Sequence, residues 1–314
     1  LINSLPNPNQ AVILCGGLGT RLHPHTLNCP KPMILCNKKP FLWFLMDQLN
    51  EQGISKFLLL TGYLGSKIED YFGNGDRFGW EISYSFGPVE WDTGKRIWEA
   101  KQLLNETFIL LYSDNFTIFS IEKLLKKNNN YNFPLTLMVS EKKPGNIRLN
   151  ENSIVLNYDR NRTDPNANYV EIGYMLVQKK IMLSFYKDPN CNFSSIIQTM
   201  SNKGLVSTFI QDDLYHSISD PIRWKKTEQY LSSKKIIFLD RDGVINLKAQ
   251  KGEYVTRWED FKIIKDTVDA MRKLSSEGYK FIIITNQAGI ARKKMDDKDL
   301  DIIHSKLLNV LKKQ

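Results

Sequence analysis

The stretch Ala11-Val12-Ile13-Leu14-Cys15-Gly16-Gly17-Leu18-Gly19-Thr20-Arg21-Leu22 constrains the fold of this chain more than any other. Its apolar run, Ala11 to Leu14, has the length and composition of a buried parallel strand. The strand breaks into glycines, which let the backbone come close to a ligand and aim several N–H groups at one anion. Arg21 adds a forked, permanently charged donor suited to phosphate oxygens. Lys31 follows one short loop later, between Pro30 and Pro32, which stiffen its approach.

Strand and helix signals alternate after this turn. Phe41 to Leu49 has helical length and apolar spacing, and Gly53 suits its C-terminal stop. Lys56 to Thr61 reads as a buried strand, Lys67 to Phe72 as a short amphipathic helix closed by Gly73-Asn74-Gly75, and Trp80 to Phe86 as an alternating strand. Phe108 to Tyr112 is a further strand that delivers Asp114 at its tip. The alternation predicts an α/β fold with a doubly wound, mostly parallel, Rossmann-like sheet and phosphate chemistry at the carboxyl ends of its strands.

A second sharp turn lies near the end of the chain. An apolar strand ends in Asp240-Arg241-Asp242-Gly243-Val244-Ile245-Asn246. Two carboxylates at this spacing suit phosphate-ester chemistry. Asp240 at the strand tip can attack phosphorus, and Asp242 beyond a tight turn can protonate the leaving oxygen. Mg²⁺ beside Asp240 and Asp242 would neutralise the clustered charge. Asp266 is expected to cap a helix with Val268, Met271 and Leu274 on one face and Gly278 at its end. The strand Lys280 to Ile284 then runs into Thr285-Asn286-Gln287-Ala288-Gly289-Ile290-Ala291-Arg292.

A length of 314 residues suits two domains. The polar stretch Ser232-Ser233-Lys234-Lys235, following a helix expected from Trp224 to Lys234, places the boundary between domains 1–232 and 233–314. Cys15, Cys29, Cys36 and Cys191 lack the paired spacing of a zinc site or a disulfide framework, which fits a reduced, cytoplasmic setting. The formal charge of +9 is scattered and so does not predict a nucleic-acid partner; anionic phosphorylated substrates fit it better. No apolar run reaches the roughly 18 residues of a membrane span. The oligomeric state stays open.

The first glycine string, together with Pro30-Lys31-Pro32-Met33, resembles the signature of the sugar-nucleotide pyrophosphorylases, which join an NTP to a sugar 1-phosphate. The resemblance implies that Leu14, Gly16, Gly17, Gly19 and Thr20 hold the nucleotide, that Arg21 stabilises the leaving pyrophosphate, and that Lys31 faces the phosphates from the other side. It assigns Thr93 and Gly94, in Val89-Glu90-Trp91-Asp92-Thr93-Gly94-Lys95-Arg96, to the base and sugar of the nucleotide. That loop is similar to the Thr-Gly-x-Arg variant of some cytidylyltransferases and heptose-type transferases, which leaves the base open. By the same resemblance Asp114 holds Mg²⁺, with Ser113 in place of the usual Gly, Arg160 meets the sugar phosphate, and Glu171 meets sugar hydroxyls. The family's second metal Asp falls at Ser217. Asp220 or Asp213 substitutes for it, the substrate phosphates carry more of the coordination, or transfer is poor.

The second string resembles the first motif of the haloacid dehalogenase phosphatases. The longer Thr285-to-Arg292 string narrows the likeness to the phosphatases of D-glycero-D-manno-heptose 1,7-bisphosphate and of histidinol phosphate. The resemblance implies that Thr285, with Asn286 and Gln287 beside it, binds the phosphate and that Arg292 meets the sugar-side phosphate. Tyr254-Val255-Thr256-Arg257-Trp258 is similar to that subgroup's substrate-side segment. It also implies that the later motifs and a Zn²⁺ loop lie beyond Gln314, leaving only the N-terminal part of such a domain here. The tandem order predicts a bifunctional enzyme of nucleotide-activated heptose synthesis for surface polysaccharide, acting on sugar phosphates and an NTP. The alternative is a phosphatase for histidinol phosphate or another small phosphate ester, fused to a non-catalytic nucleotide- or sugar-binding module.

Overall fold

The computed structural model describes residues 7–129, 133–211, 215–232, 236–250, 252–276 and 279–312. The chain divides into two compact units, Leu1–Glu228 and Gln229–Gln314. The division falls inside the helix Pro221–Leu231, which begins and ends three residues earlier than the sequence suggests and carries the boundary with it.

The first unit is built on a nine-stranded sheet. Its centre is the strand Gln10–Cys15, buried along its whole length. It lies parallel to Lys56–Thr61 on one side and Thr107–Tyr112 on the other, with Leu14 opposite both Leu60 and Tyr112. Lys56–Thr61 pairs in turn with Glu81–Phe86, again in parallel. The first three are the continuous apolar runs that a sheet covered on both faces requires, whereas Glu81–Phe86 alternates and forms the partly exposed edge. The helices Phe41–Asn50, Gly65–Phe72 and Thr93–Glu99 connect the strands.

The expected parallel winding stops at Thr107–Tyr112. Tyr169–Gln178 adds to it antiparallel, and Leu135–Glu141 adds antiparallel to that strand. The small strands Ile147–Leu149 and Val155–Tyr158 extend this half. The register of Tyr169–Gln178 shifts between Glu171 and Met175. Gly173 sits in this irregularity at φ +80°, where a Cβ would lie 2.9 Å from the Tyr112 ring. A bulge re-aims side chains on a strand, and here it accompanies the turning of Glu171 toward the carboxyl ends of the parallel strands.

Helix Phe193–Ser201 covers the sheet with Phe193, Ile196, Ile197 and Met200, all buried in one core with Val12, Leu58, Leu110 and Val177. Asn192 caps it by accepting the Ser194 N–H.

In the second unit Ile236–Asp240 and Lys280–Ile284 pair in parallel, with Asp240 opposite Ile284. Helices Lys265–Ser276 and Asp297–Lys312 supply Met271, Ile303 and Leu307 to a core with Ile245, Val255, Phe261 and Met295. Val268 and Met271 are buried as the spacing predicts, but the helix starts one residue before Asp266, which therefore lies in its first turn and not at the cap. Gly278 lies outside the described residues. No described helix is long and apolar enough to cross a membrane.

Candidate active site

A cleft of about 720 Å³ opens over the carboxyl ends of the central strands, the place where an open α/β sheet gathers ligands. Its walls bring together residues widely separated in sequence. Leu14, Gly16, Gly17, Gly19, Thr20 and Arg21 come from the first turn, Lys31 from the Pro-flanked loop, Thr93 from the helix start, and Asp114 and Glu171 from the neighbouring strands.

The turn owes its shape to specific contacts. Gly19 is left-handed at φ +67°, and a Cβ there would meet the Lys31 Cβ at 2.9 Å. The Thr26 hydroxyl donates to the Gly19 carbonyl at 2.9 Å. Beneath Gly16 lies the guanidinium of Arg96, so close that a Cβ on Gly16 would fall 2.2 Å from Arg96 Cζ. Arg96 is buried and donates to four carbonyls: Thr61 at 2.7 Å, Gly87 at 3.2 Å, Gly16 at 3.3 Å and Pro88 at 2.6 Å. Burial pulls its pKa below the ordinary guanidinium value, while Cys15 and Glu90 act in the opposite sense. One side chain thus ties the glycine turn, the tip of Lys56–Thr61 and the loop after Glu81–Phe86 into a single frame. The sequence reading gave Arg96 no role. Its signal is its position in helix Thr93–Glu99, next to Ile97 and two residues from Gly94, all on the buried side.

Lys31 and Asp114 meet directly, Nζ donating to Oδ2 at 2.7 Å. The Asp114 backbone is fixed in turn, since its carbonyl accepts the Ile218 N–H at 2.9 Å and Ser217 pairs with Asn115. Ser217, at the expected second metal position, therefore does lie beside Asp114 in the chain pairing, but it brings a hydroxyl that accepts the Ser219 N–H at 3.1 Å. Asp220 does not replace the missing carboxylate. Its Oδ1 accepts the Arg223 N–H at 2.9 Å at the start of helix Pro221–Leu231, and Arg223 pairs with it. Asp213 lies outside the described residues.

Glu171 is the most perturbed acid of the cleft. Tyr158 donates to its Oε1 at 2.9 Å, while its buried Oε2 has no hydrogen-bond partner among the described residues. Burial raises its pKa to about 7, against the Tyr158 hydrogen bond, and the Asp114 charge adds to the rise.

Three predicted positions are placed differently. Arg160 is not among the residues lining the cleft; Arg162, two residues on and left-handed at φ 56°, is. Gly94 is also absent from the lining and serves packing instead, because a Cβ there would sit 2.5 Å from the Cys191 carbonyl oxygen. Thr93 lines the cleft, but its hydroxyl is engaged with Asn192 Oδ1 at 3.2 Å and the Phe193 N–H at 2.9 Å. Trp91, Asp92 and Ser219 line the cleft without having been singled out as contacts.

In the second unit the parallel pairing brings the two motifs together. Asp242 Oδ2 accepts Gln287 Nε2 at 2.7 Å and the Thr285 hydroxyl at 3.4 Å. Asp242 is also held by the fully buried Arg241 at 2.9 Å to each oxygen and by Asn246 at 3.0 Å. Burial alone would raise the Asp242 pKa, but hydrogen bonds from Asn246, Arg241 and Gln287 outweigh it and hold the carboxyl below its ordinary value. This saturation is at odds with a proton-donating Asp242. Asp240 is exposed and accepts the Arg241 N–H at 2.7 Å. Arg292 binds the Tyr254 hydroxyl, and Asn286 is exposed. No cluster of three or more His, Cys, Asp or Glu side chains able to hold a metal ion occurs among the described residues.

The chain is similar to several sugar 1-phosphate nucleotidyltransferases. A D-glycero-alpha-D-manno-heptose 1-phosphate guanylyltransferase of Campylobacter jejuni is 29% identical over 212 residues, which is 68% of this chain and 95% of that protein. An enzyme of the same name from Aneurinibacillus thermoaerophilus is 35% identical over 136 residues, covering 43% of this chain and 58% of the relative. The crystal structure of HddC from Yersinia pseudotuberculosis shares the fold, with a TM-score of 0.60 at 21% identity over 70% of this chain and 98% of that one. The model of the family described as nucleotidyl transferase matches residues 10–277. With most of the chain matched and the glycine turn, Lys31 and Asp114 gathered over one sheet edge, this protein belongs to the nucleotidyl transferase family.

Proposed function

We propose that the first unit joins the nucleoside monophosphate part of GTP to a heptose 1-phosphate and releases pyrophosphate. The observation that carries the reading is the cleft itself: a backbone anion cradle at Gly16–Gly19 faces a carboxylate, Asp114, and a second acid, Glu171, with cations on both flanks. The names of the two guanylyltransferases above supply the choice of sugar and base. In the reaction a phosphate oxygen of the sugar attacks the α-phosphorus of the nucleotide and the α–β phosphoanhydride bond breaks. Arg21 and the N–H groups of the turn take up charge on the departing pyrophosphate. Lys31 neutralises charge at the α-phosphate, and Glu171 orients sugar hydroxyls.

The family's Mg²⁺ fits this donor set in one form only. Asp114 offers one carboxylate, Ser217 offers a hydroxyl and Asp220 is spent on its helix. Such a site suits an ion that brings most of its oxygens from phosphate and water. When bound there it would supply charge neutralisation on the phosphates. The test is pyrophosphate release from the purified protein with Mg²⁺, across four NTPs and a panel of sugar 1-phosphates. Turnover that requires GTP and a heptose 1-phosphate supports the reading; turnover only with another pair redirects it, and none at all with intact nucleotide binding favours a binding module.

One observation favours a second activity in the other unit. The register of Ile236–Asp240 with Lys280–Ile284 gathers Asp240, Asp242, Thr285 and Gln287 at one strand edge. We infer that this edge takes a phosphate ester such as a heptose bisphosphate. Asp240 would attack phosphorus as the ester P–O bond breaks and the leaving oxygen takes a proton from water, and a second water would then cleave the aspartyl-phosphate, freeing phosphate and Asp240. Inorganic phosphate release that is lost in Asp240→Asn while nucleotide binding persists supports this; release retained in that variant removes it.

A further inference from the structure

Lys31 and Asp114 face one another beside the glycine turn. The stem of Lys31 crosses Gly19, with its Cβ and Cγ 2.9 and 3.5 Å from where a Gly19 Cβ would be. Its backbone is set by a 3₁₀ turn, Lys31–Met33, that begins after Pro30 and contains the buried Pro32. The ammonium is thereby held between the anion cradle and the tip of Thr107–Tyr112. In the protein alone it settles on Asp114, 2.7 Å away, in a partly buried pair whose side chains are 14% and 27% exposed. A charge-assisted contact of this length is a strong one.

The acid nearest to Asp114 in the cleft, Glu171, is buried and bonded to Tyr158, and its proton is held by that burial, so it adds little negative charge beside Asp114. Ser217, paired with Asn115, presents a hydroxyl already engaged with the Ser219 N–H. Asp114 and Lys31 together are neutral, so a divalent cation approaching the free protein meets a carboxylate whose charge is already cancelled. A triphosphate changes that balance. Bound on the turn beside Gly19, it offers Lys31 several anionic oxygens within the swing of its own side chain, and it brings the oxygens that Ser217 does not add.

We propose that Lys31 plugs the cation position on Asp114 and that the nucleotide releases it, so that the divalent ion enters with the nucleotide and not before it. The proposal rests on the nucleotidyltransferase reading of the cleft. It assigns Lys31 a positioning role in addition to contact with phosphate, and it turns the Ser217 substitution into a reason for ordered binding. A site with two carboxylates would keep net negative charge after pairing with Lys31 and would hold an ion unaided.

The test uses Mn²⁺ as the probe, read by the loss of its free electron paramagnetic resonance signal on titration with the full chain and no nucleotide. The wild-type protein is expected to show no saturable binding below millimolar Mn²⁺. Lys31→Met is expected to gain at least tenfold in Mn²⁺ affinity, and the gain is expected to vanish in Lys31→Met/Asp114→Asn. Arg21→Met, which removes the same charge from the same cleft, controls for the general field and is expected to gain less than threefold. Ser217→Asp offers a second route and is expected to bind Mn²⁺ with Lys31 in place. Circular dichroism identifies any variant that fails to fold, and Ser217→Asp then carries the test. Equal affinities in wild type and Lys31→Met, or equal gains in Lys31→Met and Arg21→Met, overturn the plug. Nucleotide binding, followed separately by equilibrium dialysis of a non-hydrolysable GTP analogue, tests the reading beneath it; nucleotide that binds while Lys31→Met leaves Mn²⁺ unchanged sinks the plug alone.

Discussion

Replacing Arg96 by Met keeps most of the buried volume and removes the guanidinium that holds four carbonyls at 2.6 to 3.3 Å. Each buried acceptor left unsatisfied costs about 1–3 kcal/mol. The Thr61, Gly16 and Pro88 carbonyls keep other partners, since they accept the Gly87, Tyr63 and Trp91 N–H groups, so the full penalty falls on Gly87 alone. That one loss amounts to about 1–3 kcal/mol. The cost of burying the charge is recovered on its removal, which places the net effect toward the lower half, about 1–2 kcal/mol. Arg96→Lys keeps the charge but has a single nitrogen on a flexible stem, with none of the fork that reaches four carbonyls on three segments; about half the loss should persist. Urea unfolding of the first unit would show the stability change as a lower midpoint at unchanged slope. Because Gly16 and the 87–88 loop both line or border the cleft, nucleotide affinity should fall at least tenfold in Arg96→Met even at temperatures where the variant stays folded. Wild-type stability and affinity in Arg96→Met would refute the framing role, and full rescue by Lys would show that charge alone matters.

Further outcomes follow from the same geometry. Gly16→Ala should destabilise by about 1–3 kcal/mol, since its Cβ would fall 2.2 Å from Arg96 Cζ and force that side chain aside; a thermal scan reads it. Glu171 titrates near 7, well above the ordinary 4.5, so the folded state holds a proton that the unfolded chain has lost. Its contribution is therefore complete below about pH 4.5 and lost as pH rises to about 7, a change of at most about 3 kcal/mol. Glu171→Gln should flatten that slope in urea midpoints measured from pH 5 to 8 and be the more stable protein at pH 8. Arg241→Ala should unfold the second unit at lower urea, because Asp242 loses both of its 2.9 Å contacts while staying in place; about 3 kcal/mol is expected for breaking such a pair.

Much of the fold was legible because the parallel strands are short apolar runs ended by glycine or polar turns. Lys56–Thr61 forms with the bounds its composition suggests, and Gln10–Cys15 extends the expected run by one residue at each end. The antiparallel half was not legible in the same way. Tyr169–Gln178 reads as a strand in isolation, but nothing in its own residues says that it enters the sheet next to Thr107–Tyr112 in the opposite sense, or that Gly173 breaks its register. That is decided by contacts far apart in sequence. The cleft shows the same split. The cradle and Lys31 were visible as a local string, whereas the Lys31–Asp114 pair spans 83 positions and the Tyr158–Glu171 bond depends on how two strands fold onto one face. Gly94 illustrates the converse, since a glycine read as a ligand contact proves to be where the backbone passes Cys191.

The departures from the expected site residues push the cleft in one electrostatic direction. Its lining holds Arg21, Lys31, Arg96 and Arg162 against Asp92, Asp114 and Glu171, four positive charges to three negative. Glu171, held near pH 7 by burial, is only partly ionised at neutrality, so the balance lies between +1 and +2. Arg96 adds a cation beneath the turn, and Ser217 omits an anion beside Asp114. A polyanionic nucleotide is then the group that completes the charge balance, and its affinity in the absence of metal should depend strongly on salt. Because the Debye length shrinks from roughly 10 Å at 0.1 M to about 3 Å at 1 M, nucleotide binding without divalent ion should weaken more than tenfold between those concentrations. Ser217→Asp should lower that metal-free affinity and flatten its salt dependence, since it returns one negative charge to the cleft. Equilibrium dialysis at three ionic strengths decides it: a salt-independent affinity, or a Ser217→Asp variant that binds metal-free nucleotide as well as wild type, would show that the cradle's N–H groups hold the phosphates without help from the cleft's net charge.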